Sequence, residues 1–396
     1  MPYNRSSPLF AHHAALARGA APHAYANYTL HGEGLRAVVY MPEPERGYYR
    51  SSRYDWGSMV GRIQLAVPNS NKKVTLCVDT RPRPHRPLTT DHILGMAAEF
   101  GCGVRGALCY DSKHQVLATN GVFGYGDAGK GGTFLKLGVG KILRPLKLKT
   151  DGYTYNFTHS YKLAEPPRWS ATPLEDGSGI VMEQKLKYKR WGWAIRRKVY
   201  SCGKPDKKPT LCVDLTLTNT GEVAMRTPYA SGNAFNLAAG PPTGKRFQVS
   251  FAVPNSRTHY DHGNKNQTWS VPLRSIADVK LHDGVGQSRI AINKLLKESE
   301  HASVNFNVAN TTWDGRYTVS MPAAPGWNLL VKHSIWRDAS AKRSGWYGFN
   351  VRISRRAVAP RPFMLFDLKP GELVDISHRY EFDWKPDLGA GAGSGR

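Results

Sequence analysis

The sequence predicts an all-β fold, a large antiparallel β-sandwich with few short helices, on three observations. Apolar and polar residues alternate at period two over several long stretches, which places the apolar set on one face of half-buried strands. Helical periodicity is scarce. Gly and Pro, 39 and 26 of the 396 residues, punctuate the intervals between alternating stretches and supply turns.

Taken in order, residues 1–32 contain no Asp or Glu and are rich in Ala, His, Ser and Arg, so they read as an N-terminal extension, disordered or targeting. The sandwich domain is expected over 33–387, and the Gly-, Ala- and Ser-rich residues 388–396 as a flexible tail. Asp91 to Phe100 and Ser288 to Glu300 are the two expected short helices. Strands are predicted where Leu211, Val213, Leu215 and Leu217 face one way, and where Phe247, Val249, Phe251 and Val253 do so. Tyr347, Phe349, Val351 and Ile353 repeat the pattern, as do Ile376, His378, Tyr380, Phe382 and Trp384. Arg81 to Pro87 and Arg355 to Pro362 mix proline with basic residues and read as surface loops, because proline cannot donate to a central ladder.

Composition narrows the partners. A formal charge of +25, from 55 Lys and Arg against 30 Asp and Glu, makes a field that attracts polyanions. No RNP, KH, zinc-finger or basic-zipper pattern accompanies it, which argues against nucleic acid. The five cysteines, Cys77, Cys102, Cys109, Cys202 and Cys212, are few and scattered; they read as free thiols, with no zinc spacing. No apolar run is long enough for a transmembrane helix and no signal-peptide core is present, although N-glycosylation tripeptides begin at Asn4, Asn27, Asn156, Asn266 and Asn310. The balance favours a cytoplasmic or organellar setting over secretion. Oligomeric state is not indicated, and no cofactor or metal is implied.

Chemistry-bearing residues concentrate early. Gly47 to Trp56 holds Arg50, Arg53, Asp55 and four aromatic rings, including Tyr54 and Trp56, within ten residues. Guanidinium forks and a carboxylate suit sugar oxygens, and an aromatic face covers the apolar face of a pyranose. An ion pair of Arg53 with Asp55 over a buried Trp56 accounts for the same residues equally well. Glu99, Tyr125 and Lys136 follow in glycine-rich surroundings that match no P-loop or dinucleotide fingerprint. His159 alternates with Tyr155, Phe157 and Tyr161; such a residue is either a general acid or base or a hydrogen-bonded core histidine.

Thr218-Asn219-Thr220-Gly221 followed by Ser231-Gly232-Asn233-Ala234-Phe235-Asn236-Leu237 resembles the central segment of the galactose mutarotase-like (aldose 1-epimerase-like) superfamily. Pro370-Gly371-Glu372 and the strand after it resemble that superfamily's closing turn. The order of the Arg53 to Trp56, Glu99-Phe100, Gly124 to Ala128 and Phe134 to Gly140 segments resembles an uncharacterised, divergent branch of it. The resemblance spans about residues 35 to 385 and implies a carbohydrate-binding supersandwich. It places Gly232 where an active epimerase carries its histidine acid, and no glutamate base stands before the final turn. Three readings follow. One is a carbohydrate-binding protein, or an aldose or sugar-phosphate epimerase, with Glu99 and His159 as relocated base and acid and Arg50, Arg53, Asp55, Trp56, Tyr125, Lys136 and Asn233 lining the site for an acidic or phosphorylated sugar. Another is a polysaccharide lyase-like enzyme in which Arg50 or Arg53 neutralises a uronate and Tyr54 or Tyr125 moves the proton. The third is a non-catalytic polyanion-binding protein.

Overall fold

A computed structural model describes residues 25–77, 95–101, 121–146, 155, 159–203, 207–238, 244, 246–251, 257–259, 277–280, 288–295, 301–307, 315–337, 345–355 and 357–387. The early strands are β1 Asn27–Gly32, β2 Leu35–Tyr40, β3 Val60–Ala66, β4 Lys73–Leu76, β5 Gly95–Glu99, β6 Val122–Phe123, β7 Thr133–Lys136 and β8 Gly140–Leu143. The middle of the chain adds β9 Ser170–Pro173, β10 Gly179–Tyr188, β11 Trp191–Ser201, β12 Thr210–Asn219, β13 Met225–Ala234, β14 Gln248–Phe251, β15 Arg257–His259 and β16 Ala277–Lys280. The remainder are β17 Ser288–Ile292, β18 His301–Asn307, β19 Tyr317–Ala324, β20 Trp327–Arg337, β21 Gly345–Ser354, β22 Val358–Leu368 and β23 Leu373–Pro386.

Two ten-stranded antiparallel sheets face each other. The first runs β1-β2-β3-β5-β13-β22-β21-β18-β15, with β4 also paired to β3; the second runs β16-β17-β14-β19-β20-β23-β12-β11-β10-β9. Their inner faces share an apolar core, with Val39, Ile63 and Phe235 from one sheet meeting Val199, Val331 and Phe382 from the other. A third, three-stranded sheet, β6-β7-β8, lies with an aromatic layer of Tyr49, Tyr54, Trp56, Phe134 and Tyr161. The all-β sandwich expected from period-two alternation is the observed architecture.

The predicted alternation marks β12, β14, β21 and β23, where Leu215, Val249, Phe349 and Phe382 are buried; Val253 lies outside the described residues. Departures have identifiable causes. Residues 95–99 and 288–292, expected as helices, are β5 and β17. All of β5 is buried, so its two faces give no polar–apolar rhythm; β17 is fixed by pairing with β14 and β16, and long-range ladders override local propensity. β1 begins inside the expected extension, because its ladder with β2 incorporates Asn27–Gly32. Arg81 to Pro87 and residues 388–396 lie outside the described residues.

The expected loop at Arg355 to Pro362 is largely β22, seated between β13 and β21. Its prolines are tolerated by a local opening of the β13 ladder. Pairing stops at Ala230↔Phe363 and resumes at the bridge Phe235↔Val358, whose two amides bond each other's carbonyls. Residues two apart present their nitrogens to the same side, so Pro360 and Pro362 aim theirs into this gap, where no N–H is required. The continuing register sets Arg361 opposite Gly232.

Cys202 and Cys212, expected as free thiols, form a disulfide. The β11–β12 connection brings them together, with the Cys202 amide donating to the Thr210 carbonyl at 3.0 Å. Cys77 is a buried free thiol; Cys102 and Cys109 lie outside the described residues.

Candidate functional site

The outer face of the first sheet carries Glu99, Arg352 and Arg361, with Arg53 and Lys136 packed on it. Successive registers place Asn350, Arg361, Gly232 and Ala97 in one row across four strands. Glu99, two residues beyond Ala97, shares that face. It is fully buried, yet stays ionised through three bonds: Arg53 donates Nε to Oε1 at 3.0 Å and Nη2 to Oε2 at 3.2 Å, and Arg361 donates Nη2 to Oε2 at 2.7 Å. Burial alone would raise the Glu99 pKa; Arg53, Arg361 and Lys136 outweigh it and hold it at about 2.

Lys136, at the end of β7, is also sealed from solvent and donates to the Phe100 carbonyl. Its ammonium stands 5.6 Å from the Tyr155 ring centroid. Desolvation, against the pull of Glu99 and with Arg53 adding repulsion, lowers its pKa to about 8. Tyr155 stacks on Tyr161 with centroids 5.0 Å apart, and the His159 ring meets Tyr161 edge-on at 4.6 Å. The Tyr161 amide donates to Ser52 Oγ at 2.9 Å and Ser51 Oγ lies 3.0 Å from Ser160 Oγ, fastening this segment to the strap that leads into Arg53. Arg53, Glu99, Lys136, Tyr155, Tyr161 and His159 thus form one connected cluster, with the histidine at its exposed end.

Other expected site residues are engaged away from this cluster. Asp55 is fully buried, ion-paired to Arg197, and accepts the Gly57 amide at 3.0 Å. Burial pushes its carboxyl above the usual range, against the pull of Arg197. Arg53 and Asp55 therefore do not pair with each other; each has a separate partner. Gly138, with φ of +74°, lets the β7–β8 turn approach Asp55, since a Cβ there would stand 2.9 Å from Asp55 Cβ. Trp56 is 1% exposed and donates its Nε1 to the Ser51 carbonyl, so its ring is core and no platform for a sugar. Tyr125 is packed edge-on against Phe134, beneath the Arg144 guanidinium, and is buried. Arg50 is half-buried, its Nη1 bound to the Glu45 carbonyl at 2.6 Å.

Asn233 belongs to a polar network between the sheets. Its amide donates to Tyr317 Oη at 2.8 Å and its carbonyl accepts from Tyr380 Oη at 2.8 Å. A neighbouring chain runs from Asp55 through Arg197 to Tyr229, then from Tyr229 Oη to His378 Nε2 at 2.9 Å and from His378 Nδ1 to His333 Nε2 at 3.1 Å. Desolvation drives both histidines down, His378 to about 3, so both are neutral.

Arg361 and Arg352 are the residues of this face that the sequence reading omits. Arg361 was hidden by the prolines beside it. Asn350 and Arg352 are the polar partners of Phe349, Val351 and Ile353 in an alternation read only for its apolar side.

No protein-family model matches the chain, and no curated protein does. Among solved structures it is similar to the Slr1438 protein from Synechocystis, at 9% identity and a TM-score of 0.45, covering 91% of this chain and 96% of that one. It is also similar to a galactose mutarotase-like protein from Lactobacillus casei, at 11% identity and 0.43, covering 90% and 100% of the two chains. A GalM/aldose epimerase homologue from C. elegans aligns at 9% identity and 0.41, over 91% and 99%. At these identities and scores the likeness assigns no residue and no activity to this chain.

Proposed function

We propose that the protein binds a carbohydrate on the outer face of the first sheet, around Arg361. The observation that carries this reading is the Arg53–Glu99–Arg361 cluster, set in one row with Asn350 and beside stacked tyrosines. Glu99 serves there as an anchor: its oxygens fix the two guanidinium planes before any ligand arrives, and Arg361 Nε is a buried donor with no partner among the described residues. Preorganised donors of this kind suit a ring of hydroxyl oxygens, and the half-buried Tyr155 ring, backed by Tyr161, suits its C–H face.

Glu99 as a base and His159 as an acid fit the geometry less well. A carboxyl held near pH 2 and closed off by two arginines has little tendency to take a proton at neutral pH. A second reading, proton transfer on the bound sugar, requires binding to open a path to the sealed Lys136; its ammonium stands 5.6 Å from the Tyr155 ring centroid, and its pKa of about 8 would then suit such work. A lyase-like role for Tyr125 gains nothing from its buried position.

Calorimetric titration at physiological salt with glucose, galactose, glucuronate and glucose 6-phosphate tests the reading, with Arg53→Lys as the variant and circular dichroism as the folding control. Saturable binding weakened about tenfold by the variant supports it. Binding confined to polyanions and erased by salt overturns it in favour of charge-driven association. Anomer exchange measured alongside, in wild type and Lys136→Met, decides the second reading.

A further inference from the structure

Arg352 stands apart from the other cations of this face. It pairs with Ala359 on β22 and lies two residues beyond Asn350, whose partner is Arg361. Arg352 and Arg361 are therefore diagonal neighbours on the outer face, about 7–8 Å apart at Cα, within reach of one small ligand. Glu99 neutralises part of Arg53 and Arg361, but among the described residues no carboxylate reaches Arg352. Among the described residues it makes no hydrogen bond and no ion pair. It is half-buried, and the charges that act on it from the packed elements are Arg361 on β22 and Arg53 on the preceding strap, with Tyr54 opposing them. Desolvation first, and then those two arginines, press its pKa down, as expected of a cation without a counterion.

The local balance is one-sided. Arg53, Arg361 and Lys136 share Glu99, the one carboxylate among the described residues that acts on all three without being committed elsewhere as Asp55 is to Arg197, and Arg352 adds a further cation beside Arg361 and Arg53. A neutral hydroxyl would satisfy donors without relieving the mutual repulsion of these cations. An anionic oxygen group does both, and a guanidinium fork matches carboxylate and phosphate geometry.

We propose that Arg352 is the specificity-determining residue of the site and receives a carboxylate or phosphate group borne by the sugar. This rests on the carbohydrate reading above and names its ligand class. The sugar ring lies toward Arg361 and Glu99, with its charged substituent toward β21.

The test is calorimetric titration of the full chain at about 0.15 M salt with D-glucuronate, D-glucose 6-phosphate, D-glucose and inorganic phosphate, on wild type, Arg352→Gln and Arg352→Lys. The expected result is a preference for one charged sugar over glucose of about tenfold or more, which Arg352→Gln reduces to near unity and Arg352→Lys partly retains. The two charged sugars distinguish carboxylate from phosphate. Equal affinity for glucose and both charged sugars overturns the role of Arg352 while leaving carbohydrate binding intact. A preference that survives Arg352→Gln does the same. Binding of inorganic phosphate with no sugar bound overturns both readings.

Discussion

Arg361 lies in the space that a side chain at Gly232 would approach: a Cβ on Gly232 would stand 3.5 Å from Arg361 Nε and 3.9 Å from its Cζ. The same Cβ would be 3.2 Å from the Ala97 carbonyl oxygen. A Cβ would fit against the guanidinium, but a longer side chain at Gly232 would compete with Arg361 for the path over β13 to Glu99.

Gly232→His is therefore expected to displace Arg361 and create no epimerase. The imidazole would crowd both Arg361 and the Ala97 carbonyl, at a cost of about 1–3 kcal/mol. Urea denaturation should give a lower midpoint, and sugar titration a weaker affinity. A variant as stable as wild type with sugar affinity retained would show that the Arg361 position is dispensable.

Glu99 should dominate one window of acid sensitivity. Its pKa is about 2 in the fold against a usual value of 4.5, so its contribution is complete above the unfolded value and is lost as pH falls from about 4.5 to about 2. The shift corresponds to about 3 kcal/mol. Glu99→Gln should be less stable at neutral pH, because Arg53 and Arg361 then share an uncharged partner. Its stability should also change less between pH 4.5 and 3, as urea melts at several pH values would register. An unchanged slope would remove Glu99 from this role.

A separate window belongs to the His333–His378 pair. Both pKa values are depressed by burial, so between pH 6.5 and about 3 the folded chain binds fewer protons than the unfolded one, and acid favours unfolding. The loss begins below pH 6.5, before Glu99 takes part. His333→Phe retains a flat ring against Tyr380, which stacks on His333 at 4.4 Å, and removes one of the two titrating groups. Its stability should fall less steeply from pH 6.5 to 4.5, and an identical slope would contradict the assignment.

The Cys202–Cys212 bridge spans ten residues of sequence. Closing a loop of that size restricts the unfolded chain by roughly 2–3 kcal/mol. Addition of reductant should lower the melting temperature of wild type and leave a Cys202→Ser, Cys212→Ser double variant unaffected. Equal responses would show that the bridge is not formed in the isolated protein.

The legible parts of the fold were strands with one face on the core. β12 and β23 announce themselves because every second residue is apolar. β5 does not, since an aromatic layer covers its other face, and β22 was masked by prolines that only a local opening of the ladder makes tolerable. The site divides in the same way. Arg53, Glu99 and Lys136 could be picked out from polar or charged residues in glycine- and aromatic-rich stretches, but their partners could not. Glu99 meets Arg361 across 262 residues of sequence and Asp55 meets Arg197 across 142. Pairings at such separations depend on which strands become neighbours, and no local pattern records that. The inward-facing network around Asn233 was hidden for the same reason.

Strand order in the second sheet also bears on how the protein is made. β23, the last of the described strands, sits between β20 and β12. During synthesis β12 emerges about 150 residues ahead of it, a wait of roughly 8–30 s at ribosomal rates of about 5–20 residues per second. Until β23 arrives, β12 and β20 each lack the neighbour they will share, leaving open margins able to pair with another nascent chain. The sheet is thus closed from its middle, after both flanking strands have been made, so a substitution that weakens β23 would expose two strand margins where the loss of an outer strand exposes one.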